Sequence, residues 1–364
     1  MKFVLPILCL LSVLIFSFSP EKKKKDPEAL YAAKVEFGRQ LFFDKALSHP
    51  DGQSCTVCHA PKTAFSDPNH AVVSEGMIDG AFVNRNAQSL TYVGLIPPLS
   101  KSETGEYSGG LFWDGRSNSL EHQLSGPFFN PAEMNNPDTL SLVIELRNAP
   151  YYKMYRDLYG KANDAAVAYQ HITEALAMFE RSALFNEFSS KFDLMVQGKV
   201  QFTEQENRGM ALFQGKANCA SCHSTTPDAA TGKILFTAHG YYNIGIPKNE
   251  ENPFYNTHPS INPDGVNAID RGLGAVVNDK NQDGKFRVPT LRNVQYTGPY
   301  FHNGYFKTLA EVVHFKNTRD VSSYPAPEIS KNIIRQRIGN LLLTAEEEDD
   351  IVAFLLTLTD GYEL

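Results

Sequence analysis

Two short stretches of this chain carry two cysteines and a histidine at the same spacing. Cys55-Thr-Val-Cys58-His59 lies in the first half, and Cys219-Ala-Ser-Cys222-His223 repeats the pattern in the second half. In a C-x-x-C-H motif both thiols bind the vinyl groups of haem and the histidine binds its iron. The first motif and the second motif therefore predict two covalently bound haem c groups, one held by Cys55, Cys58 and His59 and the other by Cys219, Cys222 and His223.

A structural zinc site is the main alternative for each motif. A zinc-binding C-x-x-C pair normally has a second pair about 15 to 20 residues away. Neither motif has such a partner, because the fifth cysteine of the chain, Cys9, lies near the N-terminus. The histidine that directly follows C-x-x-C in both halves favours haem.

Length and charge limit the remaining possibilities. The 364 residues suffice for two domains of ordinary size, and each half contains one motif. The net charge of −7 argues against a nucleic-acid-binding protein and is compatible with transient docking of a basic redox protein.

The N-terminus has the pattern of an export signal. Lys2 precedes an apolar run from Phe3 to Phe18, which is short for a membrane span. We expect residues 1–19 to be a signal peptide or, if uncleaved, an N-terminal anchor. Export agrees with the haem c prediction, because this type of haem is attached outside the cytoplasm.

Helix signals precede both motifs. Asp26-Pro27 predicts a helix start that leads into the first motif, and Thr203-Glu-Gln-Glu206 is a capping box whose helix runs to Gly215, just before the second motif. Further capping boxes predict helices from Thr308 and Thr344.

Helical periodicity also covers residues 138–147 and 164–185, whereas residues 49–86 are rich in Gly, Pro, Asn, Asp and Ser and have no sustained period. In the second of these helices the predicted apolar face consists of Val167, Ile172, Leu176 and Phe179. We therefore predict an all-α fold of two cytochrome-c-like haem domains with long irregular loops, an N-terminal domain over 27–197 and a C-terminal domain over 198–364.

Several blocks of sequence, in order, resemble the bacterial di-haem cytochrome c peroxidases and their MauG-type relatives. The resemblance covers roughly residues 35 to 360. Its blocks are Cys55 to His59, Phe112-Trp-Asp-Gly-Arg116, Asn130-Pro-Ala-Glu-Met134, Cys219 to His223, Pro289-Thr-Leu-Arg-Asn293 and Thr297-Gly-Pro-Tyr-Phe-His302. It implies a peroxidatic haem in the N-terminal domain and an electron-transfer haem in the C-terminal domain.

The resemblance also implies roles for three residues near the haems. Glu133 matches the family's distal carboxylate, which suits a proton shuttle between the two peroxide oxygens. Gln123 falls where the family has a distal-pocket glutamine. Trp113, the single tryptophan of the chain, matches the residue that lies between the two haems and would relay electrons.

Two further ligand sets follow from the resemblance. Asn86, Thr297 and Pro299 match an inter-haem calcium site made of one side-chain oxygen and two backbone carbonyls. His70 falls near the loop histidine that some members hold against the first iron, but Ala64-Phe-Ser-Asp67 is more similar to the MauG-type subgroup, so we expect His70 off the iron.

The sixth ligand of the second haem departs from the family. The position of the family's methionine or tyrosine is Lys316, which shares one helical face with Leu309, Val312 and Val313, whereas His314 points almost the opposite way. A lysine on an apolar face must extend to solvent, pair with a carboxylate, or lose its proton and bind iron. We favour ligation by Lys316. The alternatives are a lysine that extends to solvent, with a five-coordinate or water-bound iron, and ligation by His314.

The leading functional prediction is a periplasmic peroxidase that reduces hydrogen peroxide with electrons from a small cytochrome c or cupredoxin. A MauG-type oxidase acting on a protein substrate and a di-haem electron carrier without peroxide chemistry are the alternatives. The resemblance further suggests a homodimer, and no nucleic-acid partner is expected.

Overall fold

The computed structural model describes residues 26–363, so the predicted leader lies outside the described part of the chain. Within it the α-helices are α1 (Pro27–Phe43), α2 (Leu120–Gln123), α3 (Ser125–Phe129), α4 (Thr139–Asn148), α5 (Tyr152–Tyr159), α6 (Ala165–Glu180), α7 (Lys191–Val196), α8 (Glu204–Gln214), α9 (Leu273–Val276), α10 (Leu309–Thr318) and α11 (Ala345–Leu356). None of the helices described is both long and apolar enough to cross a membrane.

The strands are short. They are β1 (Ser100–Lys101), β2 (Tyr107–Ser108), β3 (Tyr241–Tyr242) and β4 (Phe286–Arg287), and they form two antiparallel pairs, β1–β2 and β3–β4. Two-residue strands give no periodicity for a sequence pattern to reveal. The all-α prediction is therefore confirmed, with these two ribbons as additions.

The helix starts follow the predicted caps. The side chain of Asp26 accepts a hydrogen bond from Glu28 N at the start of α1. Thr203, Thr308 and Thr344 each form a complete capping box, at the starts of α8, α10 and α11. These local signals hold because each cap satisfies backbone N–H groups that the helix itself leaves without partners.

One predicted apolar face is partly wrong. Ile172, Leu176 and Phe179 of α6 are buried, but Val167 is 44% exposed. Val167 lies five residues before Ile172, which places it about 140° around a helix of 3.6 residues per turn. Ala168, which is fully buried, occupies the inward position instead.

The same helix crossing occurs in both halves. Helix α1 packs on α6, and α8 packs on α11, with a glycine at each contact. A Cβ atom on Gly38 would lie 2.0 Å from the carbonyl oxygen of Ala175, and one on Gly209 would lie 1.9 Å from that of Asp350. Each glycine begins a Gly-x-x-Leu-Phe sequence. The sequence motifs discussed above do not include this repeat. Only glycine permits this close approach of the two backbones.

The phenylalanine that ends each repeat anchors a matching aromatic cluster. The ring of Phe42 lies 6.0 Å from that of Phe65 and 5.4 Å from that of Phe179. In the second half the ring of Phe213 lies 6.1 Å from that of Phe236 and 5.2 Å from that of Phe354. The cluster thus connects the crossing helices to the loop that follows each motif.

The two larger apolar clusters of the described chain correspond to the two halves, and a smaller third cluster contains Ile246, Phe306 and Phe315. The first contains buried residues from Phe37 to Phe185, and the second those from Phe192 to Leu358. Phe192 of α7 lies 4.9 Å, ring to ring, from Phe236, so α7 packs in the second core. The division at residues 197 and 198 stays a prediction.

Polar contacts join the halves. Arg85 forms ion pairs of 2.6 Å with both Asp114 and Asp270, and all three side chains are largely buried. The Tyr92 hydroxyl donates to Asp360 Oδ2 at 2.6 Å. Buried ion pairs of this kind tolerate little displacement, because loss of one partner leaves an uncompensated charge.

Candidate haem sites and the residues around them

Each motif forms a single 3₁₀ turn, Cys55–Val57 and Cys219–Ser221, with its histidine just beyond. Nδ1 of His59 donates to the carbonyl oxygen of Phe65 at 3.0 Å, and Nδ1 of His223 donates to that of Phe236 at 3.0 Å. Because a carbonyl only accepts, Nδ1 carries the proton and Nε2 keeps its lone pair for a metal.

The two phenylalanines that supply these carbonyls have unusual backbones. Phe65 has φ of 55° and Phe236 has φ of 53°, in the left-handed region that bulky residues rarely adopt. Both side chains are buried in the aromatic clusters described above. Packing of the ring thus compensates for the backbone conformation that turns the carbonyl towards histidine.

Both histidines are neutral. Burial lowers the pKa of His59, and burial together with the nearby Lys316 charge lowers the pKa of His223 to about 3. Neutral imidazole is the form that binds a metal. Within residues 26–363, no group of three His, Cys, Asp or Glu side chains is arranged as a site for a free metal ion.

A cavity adjoins each motif. The first cavity, of about 70 Å³, is lined by Cys55, Cys58 and His59. The second cavity, of about 230 Å³, is lined by Cys219, Cys222 and His223. In each, two thiols and an imidazole with a free Nε2 face the same space, which fits the donor set of haem c.

The first cavity brings together Glu133 and Gln123, the two predicted distal residues. Asn130 Nδ2 donates to Glu133 Oε1 at 2.8 Å, and Oε2 makes no hydrogen bond within residues 26–363. Burial raises the pKa of Glu133, although the Asn130 bond and the Arg116 charge oppose the shift. A raised pKa favours the protonated form of this carboxyl group, which suits it to donating and accepting a proton.

Glu180, at the end of α6, also lines the first cavity and was not found by sequence reasoning. It is 2% exposed, and its Oε2 has no hydrogen-bond partner in the described chain. Burial raises the pKa of Glu180 to about 8. Glu180 belongs to no sequence motif. The one signal that could have revealed it is an acidic residue on the inward face of an apolar helix.

Trp113 contacts both halves of the chain. Its indole Nε1 donates to the carbonyl oxygen of Asn86 at 2.9 Å, and its own carbonyl accepts from Arg287 N at 2.8 Å. The side chain lines the second cavity.

The three predicted calcium ligands, Asn86, Thr297 and Pro299, line the second cavity as well. Asn86 Nδ2 donates to the carbonyls of Ala71 and Val72 at 3.3 and 3.2 Å. In the described chain, neither Asn86 Oδ1 nor the carbonyl oxygens of Thr297 and Pro299 accept a hydrogen bond. Three oxygens remain that suit a hard cation.

The sequence Asp279-x-Asn281-x-Asp283-Gly284, which is similar to the start of an EF-hand calcium-binding loop, forms a polar loop. Asp279 caps its own turn by accepting from Asn281 N at 2.9 Å, and Asp283 is paired with Arg271 at 2.9 Å. These carboxylates are engaged within the protein.

His70 lies away from the first cavity. Its side chain is exposed, and Nδ1 donates to the carbonyl oxygen of Gly298 at 3.0 Å. It is not among the residues that line the first cavity.

Helix α10 presents Lys316 and His314 to different surroundings. Lys316 lines the second cavity with Leu309, Val312 and Val313, and its pKa is lowered by burial. His314 is 54% exposed and lies 3.0 Å from Glu348. Of the two, Lys316 is the one whose side chain faces the space next to His223.

The chain is similar to several known proteins. A sequence profile described as di-haem cytochrome c peroxidase matches residues 32–201. The chain is 35% identical over 350 residues to the methylamine utilization protein MauG of Paracoccus denitrificans, covering 90% of this chain and 89% of that protein.

Two further relatives are peroxidases by name. Identity to the cytochrome-c peroxidase IdrP1 of a Pseudomonas species is 31% over 354 residues, covering 92% of this chain and 83% of the relative. The crystal structure of the di-haem peroxidase BthA from Burkholderia thailandensis matches with a TM-score of 0.78 at 32% identity, covering 93% of this chain and 87% of that one.

The buried carboxyl of Glu180 predicts a pH-dependent stability. In the folded chain it keeps its proton up to about pH 8, whereas the unfolded chain releases it near the ordinary value of 4.5. Between these values the folded state binds more protons, so this group makes stability fall as pH rises, by about 1.4 kcal/mol per pH unit at most.

We therefore expect Glu180→Gln to be more stable than the unaltered protein at pH 8, with a difference that shrinks towards pH 5. Urea unfolding followed by circular dichroism at four pH values measures it. Glu103→Gln, in an exposed loop, is the control. Equal pH dependence in the Glu180→Gln and unaltered proteins would contradict the expectation.

Proposed function

Because the chain belongs to the di-haem cytochrome c peroxidase family, we propose that it reduces hydrogen peroxide to water with electrons from a small cytochrome c or cupredoxin. Its relatives named as peroxidases are haem oxidoreductases, which confirms the predicted class of enzyme. The observation that carries the proposal is the buried carboxyl of Glu133 in the cavity that adjoins the first motif. We propose that the reaction takes place in the periplasm, because the sequence predicts an export signal.

Haem c, when bound, supplies the iron at which the O–O bond is cleaved and through which electrons pass. His59 and His223 would hold the two groups, and the ring of each histidine is oriented by a backbone carbonyl. Apolar side chains such as Leu124 and Phe128 line the first cavity and limit the entry of water.

Glu133 moves the proton. Its Oε1 is held by Asn130, so Oε2 is the atom that accepts a proton from one peroxide oxygen and returns it to the other. A carboxyl group whose pKa is raised by burial suits both steps. Gln123 lines the same cavity and has an amide that can position peroxide by hydrogen bonding.

Trp113 is the proposed electron relay between the haems. Its hydrogen bond to Asn86 and the bond that it accepts from Arg287 fix the indole where the two halves meet. Calcium at Asn86, Thr297 and Pro299 would hold the same region together, and this proposal is decided by metal analysis of the purified protein.

A second candidate function is a MauG-type oxidation of a protein substrate. It is favoured by the similarity to MauG over nine-tenths of the chain and by the position of His70 outside the first cavity. A di-haem electron carrier is disfavoured, because a carrier has no use for a buried proton-accepting carboxyl beside an attachment motif.

The decisive assay combines the purified protein with hydrogen peroxide and reduced cytochrome c. We expect rapid oxidation of cytochrome c, and a loss of about 10² to 10⁴ in rate for Glu133→Gln, because the amide does not accept a proton. Haem content by absorption and the variant Glu103→Gln are the controls.

The alternatives give different results in this assay. A lasting change of the haem spectrum without turnover would indicate the MauG-type function, and no reaction would indicate a carrier. If Glu133→Gln kept more than half of the activity, Glu133 would not be the proton shuttle.

For Trp113→Phe we expect both haem spectra to be retained and electron transfer between the haems to slow, because phenylalanine lacks the indole and its bond to Asn86. Stopped-flow absorption after rapid reduction measures the transfer. Tyr296→Phe, at a 40% exposed aromatic residue, is the control. An unchanged rate would remove Trp113 from the route.

Lys316 is the proposed sixth ligand of the second haem. For Lys316→Ala we expect the low-spin ferric signal of that haem to change in low-temperature EPR and in near-infrared magnetic circular dichroism, because a strong-field amine is removed. His314→Ala, two residues away on the exposed side, should leave both signals unaltered. Identical signals in Lys316→Ala and the unaltered protein would show that lysine is not the ligand.

A further inference from the structure

Arg287 on β4 is a buried arginine that has no acidic partner among the described residues. It is 4% exposed, and its one side-chain hydrogen bond runs from Nε to the carbonyl oxygen of Phe112 at 3.2 Å. Neither terminal nitrogen of its guanidinium has a partner within residues 26–363. Burial lowers the pKa of Arg287 to about 10, with only Tyr241 opposing the shift.

Other buried arginines of the described chain are compensated. Arg85 is paired with Asp114 and Asp270 at 2.6 Å, and Arg292 is paired with both oxygens of Asp193 at 2.8 and 2.9 Å. A buried cation without an anion is strongly destabilising. The geometry around Arg287 therefore calls for an anion that the polypeptide does not supply.

The nearby acidic groups are already engaged. Asp270 lines the second cavity but belongs to the Arg85 pair. Glu328, also on the cavity wall, accepts from Asp270 N at 3.0 Å and lies 3.8 Å from His302.

A second donor lies beside Arg287. Nδ1 of His239 is buried and has no hydrogen-bond partner among the described residues. Burial and the neighbouring Arg287 charge lower the pKa of His239 to about 4, so the imidazole is neutral and has one N–H to donate. His239 also has φ of 52°, a left-handed conformation that sets the direction of its side chain.

The β3–β4 ribbon holds the two donors in place. Arg287 pairs directly with Tyr241, two residues after His239, and both donors line the second cavity with Cys222 and His223. A guanidinium and an imidazole N–H on one wall form a site for a carboxylate. The second cavity is the space in which the motif places haem, and haem c carries two propionate groups.

We propose that Arg287 and His239 bind one propionate of the haem attached at Cys219 and Cys222. The inference rests on the haem that the family implies, and it does not depend on peroxidase activity. Neutralising the propionate removes a negative charge that would favour the ferric form, so Arg287 raises the midpoint potential of the second haem. Arg287 and His239 are thus cofactor-binding residues that tune the electron-transfer site.

Redox titration of the second haem, followed by absorption, tests the proposal without peroxide. We expect Arg287→Met to shift the midpoint potential to a lower value, and Arg287→Lys to shift it less, because the charge is kept and the bidentate geometry is lost. Arg271→Met is the matched control, since Arg271 is 40% exposed and already paired with Asp283. It should leave the potential unaltered.

Two results would overturn the proposal. One is an unchanged potential in Arg287→Met with both haems attached by mass spectrometry. The other is a potential of the unaltered protein that depends on added phosphate at constant ionic strength, which would show that a solution anion occupies the site. If Arg287→Met does not fold, the variants Arg287→Lys and His239→Phe test the proposal instead. Both must then lower the midpoint potential of the second haem.

An inactive protein that shows the expected shifts would refute the proposed peroxidase and leave the propionate site intact. An active peroxidase whose variants show no shift of the midpoint potential would refute the propionate site and leave the proposed peroxidase intact. The two proposals therefore fail separately.

Discussion

The bond from histidine Nδ1 to a phenylalanine carbonyl, made once in each half, is the constraint on which the sites depend. It keeps the proton on Nδ1 and leaves Nε2 of His59 and His223 for a metal. The carbonyl points the right way because Phe65 and Phe236 adopt a left-handed backbone, and their rings hold that conformation by packing on Phe42 and Phe213. Helix packing, loop conformation and ligand orientation are thus one connected unit.

The two halves use this unit in different surroundings. Around the first motif the cavity is small and contains two carboxyl groups, Glu133 and Glu180, whose pKa values are raised by burial. Around the second motif the cavity is larger, and its wall contains Lys316 and the cation Arg287. Acidic groups that hold protons suit a proton-coupled reaction, and fixed positive charge suits control of a redox potential.

Polar contacts join the two halves. Arg85 with its two carboxylates, and Asp360 with Tyr92, connect residues that are distant in sequence. Directional contacts of this kind set distance and orientation, whereas apolar packing tolerates sliding. Trp113 lies within this polar contact, bonded to Asn86 on one side and Arg287 on the other, so its position is determined by both halves.

The sequence alone predicted what depends on neighbours along the chain. The two C-x-x-C-H motifs, the caps at Asp26, Thr203, Thr308 and Thr344, and the all-α class are local patterns, and the caps and the class are confirmed by the structure. The roles of Glu133, Trp113 and Lys316 came from resemblance and stay proposals. Val167 was placed wrongly, because periodicity does not show where the inward face is centred.

Only the tertiary structure decided the rest. Among the described residues Glu180 Oε2 has no hydrogen-bond partner, and Arg287 and His239 meet at one cavity wall, because segments distant in sequence surround them. Burial and the absence of a counter-charge are properties of the packed molecule, so no spacing along the chain encodes them. The carbonyls of Phe65 and Phe236 likewise reach their histidines through backbone conformations that aromatic packing imposes.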